Sequence, residues 1–311
     1  MKIVIIGTGG VGGYFGGKLA QNKHDVYFFA RNEQLNAIKN QGLRVKSVDG
    51  DFVISPAQAS DKLTDFPTAD LILVCTKVEQ VKEIAPLLHH VMHENTVVIP
   101  LQNGLASEEI LQQHIDYKSI IPGLCKIYSK IEAPGVIHHF GYNQPVIQIG
   151  ENNKSLTPRI LELVKTFNEA GFEAHAEEDI HLQKWKKFMF ICSGGLLALT
   201  RSTYGEIRSY KPGRKMLKEL FTEIYHVGVA KQINWDESVV THAMRMVDAA
   251  DYNATSSMQR DIDAKLPSEL EYLNGAVVRF AYEMDMSVPL NEMIYKCLSV
   301  TEYYAGNHID E

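Results

Sequence analysis

The sequence lacks the features that mark several protein classes. Its 31 Lys and Arg residues are outnumbered by 38 Asp and Glu, for a net charge of −7, and the basic residues form no cluster. That balance argues against nucleic acid as the main partner. No stretch reaches the roughly 18 apolar residues that a transmembrane helix needs, and repeats are absent. What is left is a globular chain of 311 residues, long enough to bury sizeable cores and to form two domains.

Cysteine and histidine are too scattered to suggest a metal site. The 12 histidines form no H-E-x-x-H pattern, and the four cysteines form no C-x-x-C. Widely spaced thiols of this kind are typical of reduced cysteines, so we expect a cytoplasmic protein without a structural metal. The four are Cys75, Cys125, Cys192 and Cys297.

The first informative segment of the sequence is a predicted strand, glycine-rich turn and helix that begin at residue 2. An apolar strand is predicted over residues 2–6, a G-T-G-G-V-G turn follows, and residues 11–22 are predicted to be helical. Glycines in this order let the backbone approach a pyrophosphate, whose charge rests on the helix N-terminus. The alternative is a structural glycine turn in another kind of α/β protein. The predicted dinucleotide-binding residues are Gly7, Gly9, Gly10, Val11 and Gly12.

The second predicted strand, residues 25–30, indicates which nucleotide is bound. An NAD site usually has Asp or Glu at the end of this strand, to accept from the ribose 2′-hydroxyl. Here Ala30 and Arg31 occupy that end, and Asp25 comes too early. A guanidinium suits a 2′-phosphate because it can make paired, charge-assisted bonds. NADP(H) is therefore favoured over NAD(H), unless Arg31 is a solvated surface residue.

Strands and helices alternate through the first half, which predicts a Rossmann-type, doubly wound and mostly parallel α/β sheet over residues 1–177. Residues 178–311 are predicted to form an all-α domain that binds substrate and mediates dimerisation. Ligands of doubly wound folds bind at the carboxyl ends of the strands, so a cleft between the domains is expected. The five predicted helices of the second domain span residues 185–199, 215–231, 238–250, 267–284 and 289–304.

Two polar residues follow predicted strands of the first half. Lys77 comes directly after the strand over 70–75, and Asn103 follows the strand over 96–100. A lysine there can meet the cofactor, and an asparagine can orient a nicotinamide or a substrate group. Taken singly, Lys77 could equally be a surface lysine and Asn103 part of a plain turn.

The predicted helical domain adds three candidates. Lys187 shares a helix face with Ile191, Gly194 and Gly195, where another group could approach closely. Ser257 and Glu269 lie further along, and Glu269 is expected in the first helical turn after Pro267, where the helix dipole favours a carboxylate. Alone, Lys187 could be a solvated lysine and Glu269 an ordinary first-turn acid.

The order and spacing of these residues resemble the ketopantoate reductases (2-dehydropantoate 2-reductases) over nearly the whole chain. The resemblance rests on G7-T-G-G-V-G12, Arg31, Lys77, Q102-N-G104, W185-K-K187 and S257-M-Q-R-D261, with Glu269 eight residues later. It implies a Rossmann domain followed by a helical domain. It also implies NADPH-dependent reduction of 2-dehydropantoate to pantoate, on the way to pantothenate and coenzyme A.

The resemblance also implies a role for each matched residue. Lys187 would be the general acid to the ketone oxygen, and Glu269 would bind polar substrate groups and help to fix that lysine. Ser257 would lie near the substrate carboxylate, and Asn103 at the nicotinamide and substrate. Lys77 and Arg31 would be positive groups beside NADP(H).

The sequence departs from the family pattern at two positions. Many members carry Asn four and eight residues after the catalytic lysine, where this chain has Ile191 and Gly195. Loss of a buried amide can change specificity by several powers of ten. The expected partner is thus a small 2-oxo acid, and a homodimer is one expected assembly. The alternatives are a reductase of another branched 2-oxo acid and a non-catalytic NADP-binding regulatory protein.

Overall fold

The computed structural model describes residues 1–141 and 144–306, and the chain separates into two compact units. Unit 1 comprises Met1–Gln102 and Ala106–Ile180. Unit 2 comprises His181–Glu311 together with the short segment Asn103–Leu105. The assignment of the cofactor to residues 1–177 and of the substrate to 178–311 stays a prediction.

Unit 1 contains twelve strands among its described residues. In chain order they are β1 (Lys2–Ile6), β2 (Asp25–Phe29), β3 (Leu43–Ser47), β4 (Phe52–Ile54), β5 (Gln58–Ser60), β6 (Leu71–Val74), β7 (Val97–Pro100), β8 (Gly123–Lys126), β9 (Ser129–Ala133), β10 (Val136–His139), β11 (Val146–Ile149) and β12 (Glu173–Ala176). Five of them form a parallel sheet in the order β5-β2-β1-β6-β7. This sheet confirms the predicted Rossmann-type α/β fold.

The strand order places a topological switch point at β1. The chain leaves β1 to form β2 on one side, and β6 pairs on the other side. Doubly wound folds bind ligands just beyond the carboxyl end of such a strand. The turn that follows β1 begins at Gly7, so the glycine-rich segment lies where the fold class places a ligand.

Two smaller sheets and five α-helices complete the described part of unit 1. The mixed sheets have the orders β4-β3-β10-β9 and β12-β11-β8. Residues Ile3–Ile6 of β1 are fully buried, which explains why this strand is an unbroken apolar run rather than an alternating one. The helices are α1 (Gly10–Gln21), α2 (Asn32–Gln41), α3 (Val78–Ile84), α4 (Ser107–Gln112) and α5 (Pro158–Glu169).

The described part of unit 2 contains helices and connecting loops but no strand, as predicted. Its core is a separate apolar cluster that includes Phe188, Phe221 and Ile294. None of its helices, nor any other described helix, combines the length and apolar composition that crossing a bilayer requires. The helices are α6 (Ile180–Thr200), α7 (Tyr204–Ser209), α8 (Lys211–Ala230), α9 (Ser238–Ala249), α10 (Ser257–Asp263), α11 (Asn274–Glu283) and α12 (Pro289–Gly306).

The prediction of one helix over residues 267–284 was wrong for the first half of that range. A 3₁₀ turn spans Leu270–Tyr272, and Leu273 (φ −110°, ψ −97°) leaves the helical region before α11 begins at Asn274. The break lets the buried Asn274 amide donate to the Cys192 carbonyl at 3.2 Å and to Asn291 Oδ1 at 3.0 Å. Glu269 therefore precedes a 3₁₀ turn, and the expected stabilisation by an α-helix dipole does not apply.

Other predicted bounds also need correction. The helix predicted over 78–90 ends as α3 at Ile84 and continues as a 3₁₀ segment, Ala85–Val91, because Pro86 cannot supply an N–H to an α-helical ladder. The strand predicted over 119–124 begins only at Gly123, directly after Pro122. Sequence analysis missed seven elements of at most ten residues each, namely α2, β3, β4, β5, β9, α7 and α10.

Candidate functional site

The glycine-rich turn of unit 1 is shaped by two backbone requirements. Gly7 has φ +94°, and a Cβ there would lie 2.7 Å from Thr76 Cγ2 and 2.8 Å from the Thr76 nitrogen. A Cβ at Gly12 would lie 2.2 Å from the Gly7 carbonyl oxygen. Glycine at position 7 therefore lets the turn approach Thr76, two residues after β6, and glycine at position 12 lets α1 approach the backbone of the turn.

Gly9 meets a different requirement, because no atom of the described chain lies within 4 Å of the place its Cβ would occupy. The residue instead leaves open space beside the start of α1. That helix begins at Gly10 and has no acidic residue in its first turn, and Val11 packs onto the unit 1 core. Free N–H groups at an uncharged helix start attract a phosphate. The turn thus leaves open space at Gly9, beside a helix start of the kind that binds phosphate.

Alanine substitutions at Gly9 and Gly12 separate these two roles. We expect Gly12→Ala to lower the free energy of unfolding by about 1–3 kcal/mol, because the Gly7 backbone cannot yield easily. Gly9→Ala should leave stability nearly unchanged, since its methyl enters open space. It should weaken dinucleotide binding about three- to tenfold by filling the cradle. Urea unfolding and fluorescence titration of NADPH measure the two effects. Equal dinucleotide affinity of Gly9→Ala and the parent would contradict the cradle.

Two basic residues of unit 1 follow strands of the parallel sheet. Arg31 precedes α2, and its guanidinium lies 5.5 Å from the centre of the Phe29 ring and 3.3 Å from Glu83 Oε2. Lys77 precedes α3 in the corresponding position after β6. Cys75 packs against the glycine turn, since a Cβ at Gly12 would lie 3.0 Å from the Cys75 Cβ, and burial raises the pKa of its thiol well above the ordinary value.

In unit 2, the structure joins two predicted site residues that are far apart in sequence. Asn103 Nδ2 donates to Glu269 Oε2 over 2.9 Å, and Glu269 is only 9% exposed. The neighbouring Gly104 has φ +85°, and a Cβ there would lie 2.9 Å from the Tyr272 carbonyl oxygen. Glycine is thus required for the turn at 103–105 to reach the segment that carries Glu269. An anionic acceptor makes this hydrogen bond one of the stronger kind.

Helix α6 carries three lysines whose environments differ. Lys184 is 6% exposed, whereas Lys186 and Lys187 are half-buried. Lys186 lies near Asp236, in the loop before α9. Hydrogen bonds from Ser238 are the main cause of the lowered pKa of Asp236, and the charge of Lys186 contributes less. Lys187 lies on the helix face of Ile191, Gly194 and Gly195, at i+4, i+7 and i+8. Sequence analysis did not predict that Lys184 would be the buried member.

The two glycines of α6 are in close contact with other segments of unit 2. A Cβ at Gly194 would lie 2.7 Å from Ser256 Oγ, and one at Gly195 would lie 2.3 Å from Asn274 Oδ1. Ser256 is the N-cap of α10 and accepts from the Gln259 N–H, while the predicted site residue Ser257 is exposed on the first turn. Asn274 fills the space that a side chain at 195 would need. Sequence analysis did not predict this contact.

No group of three His, Cys, Asp or Glu side chains among the described residues is arranged to hold a metal ion. The chemistry of the described site residues is instead that of amides, hydroxyls, one carboxylate and the lysines. Those groups can orient a substrate and exchange a proton with it.

The comparison with family models covers most of both units. The model described as Ketopantoate reductase PanE/ApbA matches residues 3–154, and that of its C-terminal domain matches residues 179–302. The chain belongs to the ketopantoate reductase family. A 2-dehydropantoate 2-reductase of Nostoc is 30% identical over 301 residues, which cover 94% of this chain and 93% of that protein. The protein is accordingly an oxidoreductase of this family.

Solved structures agree with this fold. A 2-dehydropantoate 2-reductase of Geobacter metallireducens has a TM-score of 0.89 and 27% identity, covering 96% of this chain and 99% of its own. A D-mandelate dehydrogenase solved with NADH and anilino(oxo)acetate has a TM-score of 0.89 at 22% identity, covering 98% and 100% of the two chains. At 22% identity, the likeness to the D-mandelate dehydrogenase shows a shared fold.

Proposed function

We propose that this protein reduces 2-dehydropantoate to pantoate with NADPH, and that Lys187 is the general acid. The observation that carries the proposal is the hydrogen bond from Asn103 to Glu269, which joins residues 166 positions apart. Through this bond an amide and a carboxylate lie side by side within unit 2. Such a pair would suit the recognition of a polar substrate.

The residues of unit 1 fit a dinucleotide. The open space at Gly9 and the free N–H groups at the start of α1 would receive the pyrophosphate. Arg31 and Lys77 would supply positive charge beside the cofactor phosphates. When bound, NADPH supplies the hydride for the ketone carbon.

The residues of unit 2 would handle the substrate and the proton. Lys187 would donate a proton to the ketone oxygen as that oxygen becomes a hydroxyl, and positioned general acids contribute about 10²–10⁴-fold to a rate. Glu269 would accept from a substrate hydroxyl while it holds the Asn103 amide. Ser257, exposed on the first turn of α10, would meet the substrate carboxylate.

A second candidate, a reductase of a less polar branched 2-oxo acid, is favoured by the residues at 191 and 195. Ile191 is partly buried and packs onto the unit 2 core, and the space at Gly195 is filled by Asn274. Neither position offers an amide to a substrate hydroxyl. A substrate without that hydroxyl would therefore lose little binding free energy relative to a family member that carries the amides.

Steady-state oxidation of NADPH with a panel of 2-oxo acids tests these proposals. The leading proposal expects the highest kcat/KM for 2-dehydropantoate. A higher value for 3,3-dimethyl-2-oxobutanoate, which lacks only the terminal hydroxyl, would favour the second candidate. If no 2-oxo acid supported oxidation although NADPH bound, a regulatory NADP-binding protein would replace both. A cytoplasmic location and a homodimer belong to the proposal as well, and light scattering measures the latter.

Ile191→Asn tests whether residue 191 contacts the substrate. One net hydrogen bond is worth about 0.5–1.5 kcal/mol. We therefore expect the kcat/KM ratio of 2-dehydropantoate to 3,3-dimethyl-2-oxobutanoate to rise about three- to tenfold. Ile191→Val is the control, because it keeps an apolar side chain and should leave the ratio unchanged. A folded Ile191→Asn variant with the parental kcat/KM ratio would mean that the substrate hydroxyl does not bind beside residue 191.

A further inference from the structure

The residue proposed to bind the 2′-phosphate already has an anionic partner. Arg31 Nη1 lies 3.3 Å from Glu83 Oε2, and the two side chains are 46% and 63% exposed. Glu83 lies in the last turn of α3, and Arg31 lies just before α2, so the pair links the segments that follow β2 and β6. The Arg31 guanidinium, which a bound NADPH would need, is therefore already paired with a carboxylate.

NADPH and NADH would experience this pair differently. The 2′-phosphate of NADPH carries about −1.5 to −2 charges, and it would compete with the Glu83 carboxylate for one guanidinium. Once bound to Arg31, it would also lie close to a like charge. NADH has only a 2′-hydroxyl at this place, so it needs neither to displace Glu83 nor to approach it as an anion.

We propose that Glu83 sets the discrimination between NADPH and NADH by competing with the 2′-phosphate for Arg31. This rests on the proposed function, in which Arg31 receives that phosphate. Glu83 lowers the affinity for NADPH without acting on NADH, so the protein discriminates less strongly than Arg31 alone would allow. Exposure limits the size of the effect, because solvent screens such pairs.

Glu83→Gln tests the proposal by removing the charge and keeping the shape of the side chain. We expect the Kd of NADPH, from fluorescence titration, to fall about three- to tenfold while the Kd of NADH stays within about twofold. Glu94→Gln is the matched control. It makes the same change in net charge, but Glu94 is exposed before β7, at the amino end of the parallel sheet. Similar tightening of NADPH binding in both variants would overturn the proposal.

The double variant Arg31→Ala/Glu83→Gln separates competition from other causes. Competition requires Arg31, so adding Glu83→Gln to Arg31→Ala should recover much less NADPH affinity than it gains in the parent. Equal gains in both backgrounds would overturn the proposal. If Arg31→Ala weakened only NADPH while Glu83→Gln changed nothing, the inference would fail and the proposed cofactor assignment would stand. If Arg31→Ala weakened both dinucleotides equally, both would fail.

Discussion

Lys187→Ala should lower kcat for 2-oxo acid reduction by about 10²–10⁴, the usual contribution of a general acid. The substituted side chain no longer delivers a proton as negative charge develops on the ketone oxygen. Binding of NADPH should be nearly unchanged, because Lys187 is not among the residues proposed to bind the cofactor. Stopped-flow measurement of NADPH oxidation at saturating 2-oxo acid, alongside a fluorescence titration of NADPH, gives the two quantities.

The neighbouring lysines provide unequal controls. Lys186→Ala should change kcat by less than about threefold, because Lys186 lies near Asp236 and on the opposite side of α6 from Gly195. Lys184 is buried, so its replacement is expected to reduce stability and is the poorer control. If Lys186→Ala proved the damaging substitution and Lys187→Ala kept parental kcat, the helix face assigned to the substrate would be wrong.

Arg31→Ala should weaken NADPH binding about ten- to a hundredfold, since a hydrogen bond to a charged group contributes about 1.5–3 kcal/mol. NADH should be bound almost as before, because it has no 2′-phosphate to lose a partner. Isothermal titration with both dinucleotides measures the two affinities.

Arg44→Ala is a suitable control for Arg31→Ala. Arg44 is an exposed residue of β3, and its replacement by alanine removes the same charge from unit 1. Equal losses of NADPH affinity in the two variants would mean that general charge, and not a contact with Arg31, attracts the cofactor.

The sequence was most informative where function imposes a local backbone requirement. The glycine turn could be predicted because β1, the turn and α1 are contiguous, so the spacing of Gly7, Gly9 and Gly12 is visible within one short segment. The alternation of strands and helices likewise predicted the parallel sheet. Local pattern was weaker for short elements such as β5 and α10, whose few residues carry little periodicity.

Long-range contacts account for what sequence reasoning missed. The helix predicted over 267–284 breaks at Leu273 because Asn274 must reach Cys192 and Asn291, and neither partner is near it in sequence. The same contact places Asn274 Oδ1 in the space at Gly195. No periodicity within the segment signals such a break.

The candidate site shows both sides of this division. Family resemblance predicted Asn103 and Glu269 as site residues, but their mutual hydrogen bond is a tertiary feature. The pairing of Arg31 with Glu83 is equally invisible in the sequence, where 52 positions separate them. Composition gives no indication that Lys184, and not Lys186, is the buried lysine.

A competition assay tests the central claim most directly. The protein would receive NADPH with equal concentrations of 2-dehydropantoate, 3,3-dimethyl-2-oxobutanoate and phenylglyoxylate, the 2-oxo acid that corresponds to mandelate, and the hydroxy acids formed would be quantified. Their initial ratio equals the ratio of the kcat/KM values. The proposed function predicts pantoate as the main product. Mandelate or the hydroxy acid of 3,3-dimethyl-2-oxobutanoate as the main product would contradict it.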